Sequence, residues 1–173
     1  MKVFSFDAET NGLWGQAFAV SAAVYENGKL VADFTAYLGP DGVTDGWVRE
    51  NVLPNLNDLV QTHSSYDDML ADFAKFYLDN KSDADVIIHM GVPVESKVII
   101  DMHSRGFIGD RDGPYPLIDI AGNLQQAGEN PTSVDEYAKK YGVAVDPAKF
   151  VGGTHNPLFD SAQAAAVYHH LIG

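Results

Sequence analysis

Residues 1–38 read MKVFSFDAETNGLWGQAFAVSAAVYENGKLVADFTAYL, and the architecture follows from them. Lys2–Phe6 is a short apolar run that leads into Asp7, the pattern of a buried strand with a carboxylate at its end. Ala17–Tyr25 is apolar, with the β-branched Val20 and Val24, and predicts a second strand. Glu26-Asn27-Gly28-Lys29 joins it to a third strand over Leu30–Leu38. Asn-Gly is a strong hairpin signal because both residues tolerate positive φ. Three strands around tight turns predict an antiparallel meander.

Beyond the meander the pattern alternates. Gly39–Gly46 predicts a loop, and Trp47–Leu53 a short helix stopped near Pro54. Ser65–Asn80 predicts the clearest helix. Ser65 is suited to cap it, Asp67 and Asp68 suit its positive end, and Met69, Leu70, Phe73, Phe76 and Tyr77 share one face. Asp85–Met90 predicts a buried strand, Val94–Arg105 a helix ending near Gly106, and Tyr115–Ile120 a further strand. Ser133–Tyr141 predicts a helix ended by Gly142. The last helix starts at Asn156-Pro157, with Leu158, Ala162, Ala165 and Leu171 on its inner face. A meander followed by alternating helices and strands indicates an α/β domain: a mixed sheet of three antiparallel strands plus parallel ones, flanked by helices.

The chain has 173 residues, 46% hydrophobic and 20% charged, which fits one domain spanning 1–173. There is no cysteine, so a disulfide scaffold, a zinc finger and a thiol nucleophile are excluded. No signal-peptide core or membrane-length apolar run is present, and a cytoplasmic location is expected. Asp and Glu number 24 against 11 Lys and Arg, a formal net charge of −13. Such acidity opposes long-range attraction to nucleic acid and repels anionic membranes.

Two acidic constellations oppose that reading. Asp7 and Glu9 stand at i and i+2 on a strand and so share a face. Like charges that close resist joint ionisation unless a cation lies between them, and Mg²⁺ or Mn²⁺ accepts such oxygen ligands. At the other end of the chain, His155 precedes the final helix and Asp160 lies within it. A histidine beside a ligating aspartate is suited to general-base work. Taken singly, each constellation reads more readily as structural: a solvated strand end for Asp7 and Glu9, a surface histidine and a helix-dipole partner for His155 and Asp160.

Together they carry a resemblance. Asp-Ala-Glu-Thr-Asn-Gly-Leu at 7–13 resembles the first motif of the DEDDh 3′–5′ exonucleases, the superfamily of proofreading exonuclease subunits, RNase T and oligoribonuclease. His155 through Asp160 resembles the third motif. The tyrosine subclass places Tyr four residues before the aspartate, where this chain has Asn156. In the second motif, His89-Met90-Gly91-Val92-Pro93-Val94-Glu95, the position of the usual aspartate carries Glu95, with Asp101 and Asp85 as alternatives and helix capping as the bland reading. Trp47–Pro54 and Tyr115–Ile120 resemble segments of the mycobacterial-type 3′–5′ exoribonuclease branch.

The resemblance implies an RNase H-like fold and a two-metal 3′–5′ exonuclease using two Mg²⁺ or Mn²⁺. Asp7, Glu9, Glu95 and Asp160 would be the ligands and His155 the general base. Its implied partners are single-stranded RNA or DNA 3′ ends, with RNA favoured and no membrane; a homodimer is compatible with the sequence. Thr10, Asn11, Gly12 and Leu13 would meet the terminal nucleotide, with Trp47 and Arg49 on the substrate side. Core packing competes for Leu13 and is the expectation for Trp14 and Trp47. The competing functions are a non-catalytic binding module on the same fold, motivated by Glu95, a 3′–5′ exodeoxyribonuclease, and an RNase H-type endonuclease.

Overall fold

Strand β1 (Lys2–Thr10) runs four residues beyond its apolar stretch because β2 (Ala17–Glu26) pairs with it antiparallel along nearly its whole length, from Lys2 opposite Glu26 to Glu9 opposite Ala19. The register slips between Glu9 and Thr10, which pairs with Ala17 at the end of the strand. The computed structural model describes residues 1–146, 149–150 and 155–173. Strand β3 (Lys29–Tyr37) returns through the hairpin, where Asn27 and Gly28 have φ of 50° and 77°. On the other side of β1, β4 (Ala84–Ile88) and β5 (Leu117–Asp119) add in parallel, giving the order β3-β2-β1-β4-β5.

Alternation along β1 decides what faces what. Phe4, Phe6 and Ala8 point into the larger core, packing with Phe73 and Tyr77 of α2 (Tyr66–Asn80) and Val98 and Met102 of α3 (Val94–Ser104). Val3 joins the opposite core with Ile120 and Leu124 of α4 (Ile120–Gln126), Tyr137 of α5 (Val134–Tyr141), and Ala165 and Tyr168 of α6 (Pro157–Ile172). Period-2 geometry therefore puts Asp7 and Glu9 on the α6 side of the sheet.

Ser65 and Asn156 cap α2 and α6 as the sequence predicts, each accepting from a backbone N–H of the first turn, and Ser133 caps α5 in the same way. Two features differ. Strand β5 is shorter than Tyr115–Ile120, because Asp119 accepts from the Ala121 N–H and turns the chain into α4, a helix without an evident apolar period. The Trp47 segment splits into α1 (Gly46–Asn51), capped by Asp45, and a 3-10 turn at Leu53–Leu56. Val48 and Val52 face inward while Trp47 is 65% exposed, which overturns its core expectation. Trp14, at 78% exposed, likewise lies outside the core. Among the described residues, no helix is long and apolar enough to cross a membrane.

Candidate metal centre and its cleft

Helix α6 brings the two ends of the chain together. Asn156 caps it, and Pro157, which lacks an N–H, fits its first position. Asp160 then faces β1 from the first turn. Asp7, Glu9 and Asp160 each offer a carboxylate oxygen, and these atoms all lie within 4.8 Å of one another. His155 sits beside them with φ of 71°; its backbone N–H donates to Asp160 Oδ2 at 2.8 Å, and its Nδ1 lies 3.8 Å from Glu9 Oε1.

Glu95 stands outside that three-residue group but adjoins it. Strand β4 pairs with β1 only from Lys2 to Ser5 and ends at Ile88, so β1 beyond that point lacks a strand partner on this side. Glu95, in the first turn of α3 and 3% exposed, fills the gap: its Oε1 accepts from the Ala8 N–H at 3.0 Å. The alternatives are committed elsewhere. Asp101 accepts from the Tyr66 hydroxyl and Lys97 Nζ, and Asp85 accepts from the Tyr168 hydroxyl.

The electrostatics are those of crowded acids. Burial, followed by Glu95, Glu9 and Asp160, holds the Asp7 carboxyl well above the usual range. Burial, then Asp160 and Glu95, pushes Glu9 up to about 8. Burial raises Asp160 to about 7, with Asp135 adding and the His155 N–H opposing. Burial raises Glu95 to about 7, against the Ala8 and its own N–H and with a further push from Asp119. By contrast, Lys97, Tyr66 and Arg105 overcome burial at Asp101 and hold it low. Among the described residues, none of the four raised acids pairs with a Lys or Arg. An all-oxygen set with no internal counter-charge fits a hard divalent cation.

A cleft of about 170 Å³ opens over the group, lined by Asp7, His155 and Asp160 on one side and His89, Thr132 and Asp135 on the other. Thr132 and Asp135 escaped the sequence reading, which named His89 only at the head of the second motif and gave it no role. His89 follows β4, which runs parallel to β1, so both strand ends reach the same edge; that topology was the available signal. His89 Nε2 lies 3.0 Å from the Pro131 carbonyl, which can only accept, so this nitrogen carries the hydrogen.

The remaining expected residues divide. The Asn11 side chain ties its loop to the start of α1: its oxygen accepts from the Thr44 and Asp45 N–H groups, and its amide donates to the Gly42 carbonyl. Thr10 Oγ1 donates to the Gly12 carbonyl, and the Asn11 and Gly12 N–H groups close the loop internally. Arg49 donates to the Val43 carbonyl, holding the same loop. Leu13, at 67% exposed, projects with Trp14 from the loop that Asn11 ties to the start of α1, which carries the exposed Trp47.

No protein-family model matches the chain, and no curated protein matches it. Among solved structures it is similar to Exonuclease X in complex with 5′ overhanging duplex DNA, at 15% identity and a TM-score of 0.64, over 98% of this chain and 90% of that one. The two share a fold, the RNase H-like mixed sheet flanked by helices.

Proposed function

We propose that this chain is a divalent-metal-dependent 3′–5′ exonuclease that acts on single-stranded 3′ ends, favours RNA and releases nucleoside 5′-monophosphates. The observation that carries the reading is the convergence of Asp7, Glu9 and Asp160 within 4.8 Å, beside His155. The shared fold with Exonuclease X supports it. The RNA preference rests on the resemblance of Trp47–Pro54 and Tyr115–Ile120 to the exoribonuclease branch.

Asp7, which Glu9, Glu95 and Asp160 all crowd, would with them hold two Mg²⁺ or Mn²⁺ ions. Glu9 and Asp160 would complete one site, and Glu95 would support the other directly or through water. Bound divalent ions supply water activation and stabilisation of the leaving oxygen in an in-line displacement at phosphorus. His155 has Nδ1 toward Glu9, which leaves Nε2 to take the proton of the attacking water. The water oxygen bonds to phosphorus as the bond to the 3′ oxygen of the preceding nucleotide breaks. The exposed Leu13, Trp14 and Trp47 offer apolar surface to terminal bases.

An exodeoxyribonuclease is the second reading, because the similar solved structure holds DNA. The test is digestion of paired 5′-labelled RNA and DNA oligonucleotides with Mg²⁺ or Mn²⁺. Stepwise shortening by wild type and none by Asp7→Ala is expected. Full activity in Asp7→Ala overturns the assignment, and cleavage of a circular substrate would make the chain an endonuclease. Metal binding without any hydrolysis would make it a binding module.

A further inference from the structure

The position of Glu95 has a cause outside its own helix. Helix α3 begins after Pro93, which makes no side-chain capping hydrogen bond, so the helix start is not set by its own cap. The turn from β4 into α3 instead hangs on a neighbouring strand. Ile88 and Asp119 are the last paired residues of β4 and β5. Where the backbone ladder stops, the Asp119 carboxylate continues it: Oδ1 accepts from the Met90 N–H at 2.9 Å and Oδ2 from the Gly91 N–H at 3.2 Å. Oδ1 also accepts from the Ala121 N–H at 3.0 Å, the cap of α4.

The turn held this way is demanding. Met90 has φ of 53°, a left-handed conformation that a side-chain-bearing residue adopts only under constraint. Gly91 packs so closely that a Cβ there would fall 2.7 Å from Glu95 Oε2 and 2.4 Å from Ile88 Cδ1. The Gly91 carbonyl accepts from the Ser96 N–H at 2.9 Å, which fixes the first turn of α3. The chain of contact is continuous: Asp119 to Gly91, Gly91 to Ser96 and Glu95, and Glu95 to the Ala8 N–H between Asp7 and Glu9. The charge of Asp119 itself disfavours ionised Glu95, so its service to Glu95 is geometric.

We infer that Asp119 is a positioning residue for the metal centre, holding the 89–93 turn so that Glu95 meets the Asp7–Glu9 end of β1. The inference rests on the metal-centre reading above. It goes beyond the capping of α4, which a serine would perform equally well. A serine hydroxyl has one oxygen on a shorter arm and cannot serve Met90, Gly91 and Ala121 together.

The test is calorimetric titration of Mn²⁺ into wild type, Glu95→Gln, Asp119→Ser and Asp119→Asn, with helix content followed by circular dichroism. Outer-shell partners of metal ligands typically govern about 10–100-fold in affinity. Asp119→Ser is expected to weaken by that factor the same binding event that Glu95→Gln weakens, leaving the other event within about twofold and helix content unchanged. Asp119→Asn keeps the size and one acceptor but turns an amide toward a backbone N–H, and is expected to weaken that event less. It carries the test should the serine variant fail to fold. An isotherm matching wild type in the folded variants overturns the inference, as does equal weakening of both events. Absence of Mn²⁺ binding in wild type, or no effect of Glu95→Gln, overturns the metal-centre reading itself and is separately visible.

Discussion

The His155 backbone N–H donates to Asp160 Oδ2 at 2.8 Å, so the proposed base and one proposed ligand are locked together at the entrance of α6. The contact is made by the backbone, and the ring stays half exposed with Nδ1 toward Glu9. His155→Asn separates the two roles, because Asn tolerates the left-handed φ of 71° and keeps the N–H. General-base catalysis typically contributes about 10²–10⁴-fold. Loss of that order in kcat is expected with the Mn²⁺ isotherm retained. Steady-state kinetics within about threefold of wild type would remove His155 from the chemistry.

The raised acids make metal-free stability depend on pH with a definite sign. Glu9 is held at about 8, Glu95 and Asp160 at about 7, and Asp7 well above its usual range. In the unfolded chain these groups return to about 4. The folded state therefore binds more protons between these limits, and stability falls as pH rises. The contribution is fully present below about pH 4 and lost through pH 7–8. Thermal melts in EDTA are expected to fall from pH 5.5 to 8.5, with Mn²⁺ restoring the lost stability at the alkaline end. A Tm in EDTA that holds level over this range would contradict the crowding of these carboxylates.

Removing the central charge is expected to trade activity for stability. Asp7→Asn keeps the volume while deleting a carboxylate that burial, Glu95, Glu9 and Asp160 all disfavour. At pH 8 in EDTA its Tm is expected to rise, by about 2–4 °C for each kcal/mol of repulsion relieved. Oligonucleotide digestion is expected to be lost in the same variant. A lower Tm, seen by scanning calorimetry, would show that Asp7 is held by a favourable partner instead.

What the sequence discloses is local. Asn27-Gly28 announces the hairpin, and Ser65, Ser133 and Asn156 announce three helix starts, because turn conformation and capping involve neighbours in the chain. Helix α4 escapes, since its seven residues hold through Ile120 and Leu124 packing against α5 and α6, not through periodicity. The orientation of Trp47 escapes for a related reason. A short amphipathic turn has two faces, and the sheet selects Val48 and Val52. The meeting of Asp7 and Asp160 is non-local; residue spacing alone leaves it open, and only the motif resemblance joined the two ends before β1 and α6 did. Glu95 marks the further limit: its place depends on Asp119, on a strand that is its neighbour only in the fold.

The chain has two tryptophans, and both project into solvent. Trp14 follows the exposed Leu13 on the loop after β1, and Trp47 stands at the start of α1, to which Asn11 ties that loop. A net charge of −13 opposes long-range attraction to polynucleotide. Stacking on exposed rings is the sequence-tolerant way to hold a single strand, worth about 1–3 kcal/mol per base. Binding of a short oligonucleotide in EDTA, without cleavage, is therefore expected to quench intrinsic fluorescence. Trp14→Ala and Trp47→Ala are each expected to weaken that binding by about 5–150-fold, the same range expressed as a ratio. Because neither ring is buried, Tm is expected to shift by less than about 2 °C in either variant. A large fall in Tm would reinstate them as core residues, and unquenched fluorescence at saturating oligonucleotide would place the bound strand away from this face.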